Sequence, residues 1–283
     1  MQVITTASEM QQACRALKNG RTLGFVPTMG ALHDGHLSLV RRAMAECDAV
    51  AASIFINPTQ FAAGEDYDVY PRAFDEDCSK LEAAGIRLLF APSASEMYPP
   101  GATTFVEVAG IGDRMDGASR PGHFRGVATI IAKFFNIVVP DRAYFGQKDA
   151  AQIAVLRALV HDLNFPVQLI ACPIVREPDG LAMSSRNRNL SASDRQQALI
   201  LHRALHAACV LLQTGETNAA ALRSAMLMTF ATDPNVLVDY AAIVDPATLL
   251  PIADTAHGAL IAVAAWVGTT RLIDNMLVEA PHA

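Results

Sequence analysis

The chain has 283 residues, enough for one large domain or two moderate ones, and with 52% apolar and 18% charged residues it can bury a core without cross-links. Its 22 Lys and Arg stand against 28 Asp and Glu, and a net charge of −6 disfavours a nucleic-acid partner held on a basic face. Five cysteines, odd in number and without a C-x-x-C pair, argue against a disulfide framework or a thiolate metal knuckle.

The opening Met1 to Ala7 has no basic leader, and the longest apolar run, Ala259 to Val267, is far short of the ~18 residues of a membrane helix, so the expectation is a soluble cytoplasmic protein with no membrane partner. Thr6-Ala7-Ser8-Glu9 has the form of a capping box, and Met10, Cys14 and Leu17 recur at helical spacing, which predicts a short helix ended by Asn19-Gly20. Thr22 to Val26 reads as a buried strand, followed by a Pro/Gly turn and a helix from about Gly35 to Cys47. Ala49 to Ile56 reads as the next strand, Asp75 to Ala84 as a helix and Ile86 to Phe90 as a third strand. This alternation predicts parallel pairing, and the right-handed crossover rule folds it into an open α/β sheet covered on both faces, with ligands beyond the carboxyl ends of the strands.

After a glycine-rich stretch, helices at about 127–138 and 148–163 and a strand at 167–170 complete this part. From Ser191 an Ala/Leu-rich helix runs to about Gln213, a second from Asn218 to Phe230, and then the period becomes two over Val236 to Val244, with partner strands at Ala259 to Val267 and Arg271 to Ile273. The expected fold is a Rossmann-like, doubly wound parallel-sheet domain over 1–186 followed by a smaller α+β domain over 187–283.

The chain has no G-x-x-x-x-G-K-[ST] loop, no H-E-x-x-H and no G-x-S-x-G. The first strand instead runs into Pro27-Thr28-Met29-Gly30-Ala31-Leu32-His33-Asp34-Gly35-His36. Gly30 and Gly35 let a molecule approach the backbone, and unpaired N–H groups in the first helical turn favour phosphate. Helix-end attraction supplies only ~0.3–1 kcal/mol against the ~8–23 kcal/mol that catalysis requires, so other groups must act. His33 and His36, three apart, suit donors aimed at phosphate oxygens, and equally suit a capping histidine beside a solvated one; no third Cys or His nearby supports zinc.

Phe145-Gly146-Gln147-Lys148-Asp149 carries one of only four lysines, placed either for phosphate or as a solvated helix-start residue. Met183-Ser184-Ser185-Arg186 offers two hydroxyls and a guanidinium, though alone it fits an ordinary capping loop. Phe55-Ile56-Asn57-Pro58-Thr59-Gln60-Phe61 follows the second strand; the amides of Asn57 and Gln60 suit a hydroxylated acid, and Asn-Pro also suits a plain turn.

In this order the segments resemble those of the pantothenate synthetase (pantoate:β-alanine ligase) family over nearly the whole chain. His33-Asp34-Gly35-His36 is similar to the H-x-G-H signature shared with nucleotidylyltransferases and class I aminoacyl-tRNA synthetases. Met183-Ser184-Ser185-Arg186 occupies the place of their KMSKS loop in the lysine-free form that matches this family. The resemblance implies ATP-driven ligation in two steps, through pantoyl adenylate, with Mg²⁺ bridging phosphate oxygens and ATP, pantoate and β-alanine as the small-molecule partners of a homodimer. It implies ATP contacts from Met29, Gly30, Ala31, Leu32, His33, Asp34, Gly35, His36, Gly146, Gln147, Lys148, Asp149, Val175, Met183, Ser184, Ser185 and Arg186. Gln60 and Gln152 are implied for pantoate, Gln60 also for β-alanine, and His36 as proton donor; Asn57 joins the pantoate set on the strength of its amide, and the C-terminal domain is expected as a lid over the site. Charge development on phosphate makes His33, His36, Lys148, Ser184, Ser185 and Arg186 a stabilising ring rather than a single acid with helpers. Arg120 and His123, in a segment matching one near the family's active site, are secondary candidates. The rivals are a nucleotidyltransferase that keeps the nucleotide on its product and a non-catalytic nucleotide-binding regulator.

Overall fold

A computed structural model describes residues 1–62 and 64–280. In chain order the strands and helices are β1 (Gln2–Ile4), α1 (Ala7–Lys18), β2 (Leu23–Thr28), α2 (Asp34–Glu46), β3 (Ala49–Ile54), α3 (Phe74–Ala83), β4 (Leu88–Phe90), α4 (Ala94–Met97), α5 (Asp116–Ser119), α6 (His123–Val138), β5 (Arg142–Gly146), α7 (Ala150–Asp162), β6 (Gln168–Cys172), α8 (Ala192–Gln213), α9 (Ala219–Phe230), β7 (Val236–Val244), β8 (Ala259–Val267) and β9 (Thr270–Val278). Of the predicted capping box one half opens α1, Glu9 N–H donating to Thr6 Oγ1 at 3.4 Å, while the Glu9 carboxylate accepts from the Thr6 hydroxyl at 2.7 Å.

Among the described residues, six strands form a parallel sheet in the order β1-β4-β3-β2-β5-β6. The order reverses between β2 and β5, where Gly24 lies opposite Arg142 and Phe25 opposite Ala143. At such a switch point the loops leaving the two strands diverge to opposite faces and leave room for a ligand. Alternate residues of β2 serve the two faces. Val26 joins Leu39, Val40 and Ala43 of α2 in one core cluster, while Phe25, Phe55 and Phe90 present rings to Phe134 of α6, with centroids 5.7, 6.3 and 6.0 Å away.

The doubly wound sheet matches the expectation; two of its strands were not foreseen. β1 buries only Ile4, and β5 opens on an arginine, so neither carries a run long enough to declare itself. The helix expected from Lys148 starts two residues later, after a 3₁₀ turn at Gln147–Asp149.

The chain divides into two compact units, Met1–Gly146 with Val155–Pro173, and Gln147–Ala154 with Ile174–Ala283. The sequence places the boundary at 186/187; by contacts the second unit begins at Ile174 and also takes in Gln147–Ala154. Two side chains of β9 account for this. Asp274 accepts two hydrogen bonds from Arg176, at 2.6 and 3.0 Å, and Asn275 Nδ2 donates to the carbonyls of Gln147 and Lys148, at 3.0 and 2.9 Å. Positions 281–283 of the expected C-terminal domain lie outside the described residues.

In the second unit β7, β8 and β9 form an antiparallel sheet, and Ala204, Leu205, Ala208, Leu222 and Met226 of α8 and α9 pack with Ile261, Val263 and Ala265 of β8. Among the described residues no helix is long and apolar enough to cross a membrane.

Candidate functional site

The loop from β2 to α2 is shaped by its own side chains and by one distant acid. His33 is the N-cap of α2: its Nδ1 accepts from Gly35 N–H at 3.1 Å, and His36 Nδ1 accepts from His33 N–H at 3.4 Å. An imidazole whose Nδ1 accepts carries its proton on Nε2. Both rings, 4.0 Å apart between centroids, are therefore set as Nε2–H donors by the backbone they cap.

Upstream, Asp77 of α3 is 1% exposed and accepts from Ala31 N–H and Leu32 N–H, each at 2.7 Å. Ala31 sits at φ +50°, a left-handed conformation costing an L-residue about 1–2 kcal/mol, which these short charge-assisted bonds offset. Gly30 sits at φ +83°, where a side chain would be strained, and a Cβ would crowd Asp77 Oδ2 at 3.0 Å and Ile54 Cγ2 at 3.1 Å. Lys80 Nζ closes the cradle by donating to Leu32 O at 2.7 Å.

This corrects one expectation. Three N–H groups of the first turn are taken within the chain: Gly35 donates to His33 Nδ1, and His36 and Leu37 donate to His33 O at 2.9 and 3.1 Å. A side chain and a carbonyl within a few residues reach these donors first.

The Asn57–Gln60 turn follows β3. Asn57 is buried, and its amide is fully engaged: Oδ1 accepts from Tyr98 OH at 2.8 Å, Thr59 Oγ1 at 3.0 Å and Thr59 N–H at 3.4 Å, while Nδ2 donates to Gly126 O and Gln60 Oε1, both at 3.1 Å. Gln60 Nε2 points to Met29 Sδ at 3.0 Å, which joins this turn to the histidine loop. Gly126 lets α6 sit directly on the turn; a Cβ there would lie 2.3 Å from Thr59 O.

The main chain at Gln60 is held as well. Arg120 grips Glu65 through two bonds of 2.8 and 2.6 Å, and His123 Nδ1 donates to Gln60 O at 2.8 Å while its Nε2 accepts from Arg120 at 3.2 Å. Burial, then the Arg120 charge, pushes the His123 pKa down to about 4, which keeps this tautomer neutral at pH 7. Burial works to raise the Glu65 pKa, but Arg120 outweighs it and holds the carboxyl below its usual range.

In the second unit the Lys148 turn hangs on Asn275, whose Oδ1 also accepts from Gln147 Nε2 at 3.2 Å. Lys148 Nζ lies 3.9 Å from Asp149 Oδ1, and Gln152 stands half-buried on the first turn of α7. Val175 and Met183 close a small hairpin, with Met183 N–H donating to Val175 O at 3.0 Å and Asn187 Nδ2 donating to Ala182 O at 3.1 Å. Ser184 then caps a 3₁₀ turn at Ser185–Asn189, its Oγ accepting from Arg186 N–H at 3.3 Å. This turn and Gln147–Asp149 both rest on β9.

The first unit thus gathers Met29 to His36, Asn57 and Gln60, and the second gathers Lys148, Asp149, Gln152, Val175 and Met183 to Arg186. Sequence reasoning missed Asp77, Tyr98, Asp274 and Asn275. Two left a trace: Asp77 precedes Leu81 by one helical turn on the buried side of α3, and Asp274-Asn275 interrupts the otherwise apolar Leu272, Ile273, Met276 and Leu277.

Residues 2–277 match the family model described as pantoate-beta-alanine ligase. Pantothenate synthetase of Koribacter versatilis is 53% identical over 281 residues, 99% of this chain and 97% of that relative. The crystal structure of pantothenate synthetase from Thermus thermophilus is similar with a TM-score of 0.93 and 47% identity, covering 98% of this chain and 99% of that one. The pantoate-beta-alanine ligase of Francisella tularensis, solved as a complex with beta-gamma ATP and beta-alanine, is similar with a TM-score of 0.80 and 33% identity, over 98% and 97%.

Proposed function

Because the chain belongs to the pantoate-beta-alanine ligase family, we propose that it condenses pantoate with β-alanine to pantothenate, with ATP as co-substrate and pantoyl adenylate as intermediate. A pantoate carboxylate oxygen attacks the α-phosphorus, the bond to the β-phosphate oxygen breaks, and pyrophosphate leaves with the electron pair. The neutral amine of β-alanine then attacks the acyl carbon, AMP leaves, and the amine proton passes to water or substrate phosphate.

The observation that carries this reading is the pair of imidazoles whose Nδ1 atoms are committed to the start of α2. Fixed Nε2–H donors suit charge growing on phosphate oxygens, where preorganised donors act without reorganising. In this reading His33, His36, Lys148, Ser184, Ser185 and Arg186 stabilise the triphosphate as it reacts, and His36 works as a hydrogen-bond donor rather than by giving up a proton. ATP is also contacted by Met29 to Gly35, Gly146 to Asp149, Val175 and Met183. Gln60 and Gln152 hold pantoate, with Gln60 also near β-alanine, and Asn57 serves pantoate through Gln60. Alignment of the reacting atoms supplies the larger share, since effective molarities are worth ~7–11 kcal/mol.

Mg²⁺ enters the proposal as the companion of ATP. The resemblance has it bound by phosphate oxygens and water; no step is routed through it. The resemblance also carries a homodimer and a cytoplasmic location into the proposal, neither of which the chemistry requires.

ATP–pyrophosphate exchange measured with pantoate and without β-alanine tests the reading. Exchange that depends on pantoate is expected; a folded protein that shows none contradicts adenylation, and product retaining the nucleotide would favour the nucleotidyltransferase.

A further inference from the structure

We propose that Tyr98 is a positioning residue: through its hydrogen bond to Asn57 Oδ1 it steadies the amide that sets which end of Gln60 faces pantoate. The proposal rests on the reading of Gln60 as a pantoate ligand and deepens it.

The two ends of a carboxamide have nearly the same shape and opposite hydrogen-bonding character. At Asn57 the surroundings decide between them. Thr59 N–H, which only donates, faces Oδ1, and Gly126 O, which only accepts, faces Nδ2, so these two backbone groups set the amide; the hydroxyls of Tyr98 and Thr59, 3.1 Å from each other, add their bonds to Oδ1. Nδ2 has only hydrogens to offer, so the Gln60 atom opposite it must be the acceptor Oε1. Nε2 is thereby turned the other way, toward Met29 Sδ. A thioether is a weak acceptor, and a carboxylate or hydroxyl oxygen arriving there takes a stronger bond from the same N–H₂ group. With Asn57 reversed, Gln60 would present Oε1 instead, an acceptor set against the anionic end of the substrate.

Tyr98 is fit for this task. It ends the short helix α4, its ring lies 6.5 Å from that of Phe55, and Lys133 Nζ stands 5.7 Å over its face. Burial holds the phenol above its usual range, so the hydroxyl remains a donor at neutral pH.

The test compares wild type, Tyr98→Phe, Gln60→Ala and the double variant by steady-state kinetics and by calorimetric titration with pantoate. Losing one hydrogen bond of orientation predicts a rise of about fivefold in pantoate KM and Kd for Tyr98→Phe, with kcat and the ATP KM held within about twofold. On the Gln60→Ala background the same substitution is expected to add nothing, whereas a merely structural role would act on either background. Asn57→Asp, which keeps the shape and removes the donor end, is the second variant and is expected to weaken pantoate by more than about tenfold.

Wild-type pantoate affinity in folded Tyr98→Phe, or an undiminished effect in the double variant, overturns the relay. If Gln60→Ala binds pantoate like wild type, the Gln60 reading falls and the relay with it; if Gln60→Ala loses affinity and Tyr98→Phe keeps it, the relay alone falls.

Discussion

The Met29–His36 loop and the Gln147–Asp149 turn each follow a strand of the parallel sheet, yet they are ordered by different means. The first is shaped partly by its own side chains, two imidazoles capping the helix they open, and partly by Asp77, 46 residues from Ala31, which takes the N–H groups of its strained stretch. The second is hung on Asn275, 127 residues beyond Lys148. A helix start capped by its own side chains keeps that cap wherever the local sequence is kept, while a turn suspended wholly from a remote strand keeps its shape only as long as that strand is in register.

The difference can be broken at three places. His36→Ala removes a donor and half of a capping box, and pantoate-dependent exchange should fall about 10²–10³-fold with a stability loss of only about 1 kcal/mol in urea unfolding. An unchanged exchange rate would end the account of the imidazoles as donors to the reacting phosphates. Asp77→Ala leaves two buried N–H groups without an acceptor and should cost about 2–3 kcal/mol of stability, read from the urea midpoint. An unmoved midpoint would show that the loop keeps its shape without the acid. Asn275→Ala should cost about 1 kcal/mol, and its signature is selective: a several-fold higher KM for ATP at an unaltered KM for pantoate. Equal movement of both constants would mean that β9 supports the site generally and the contrast is false.

How much of this was visible in the residues follows the same line. The strand-helix alternation up to Phe90, the period-two strand β7 and the capped helix α8 depend on neighbours within a few positions, so spacing alone revealed them. The histidine pair, Lys148 and Ser184 to Arg186 stood out for the same reason. β5 did not, because Arg142 to Gly146 becomes a strand by pairing with β2 and β6 on either side. Asp77 was hidden because its partners are backbone N–H groups, which leave no mark in a sequence. Asn57 reads both as a substrate amide and as a plain Asn-Pro turn; its burial and five internal hydrogen bonds, one of them to Gln60, were not legible because their partners come from Tyr98 and Gly126 as well as the turn itself. The open first-turn donors expected at α2 were taken by the very histidines singled out beside them.

β8 has a consequence for handling the protein. Ala259 to Val267 is nine residues without proline or charge, the composition that drives strands of different molecules to stack. In the fold both its edges are occupied, by β7 and β9. Removing β9 would uncover one edge along its whole length and at the same stroke remove Asp274 and Asn275, so a shortened version is expected to associate through β8 and to lose the proposed hold on ATP together.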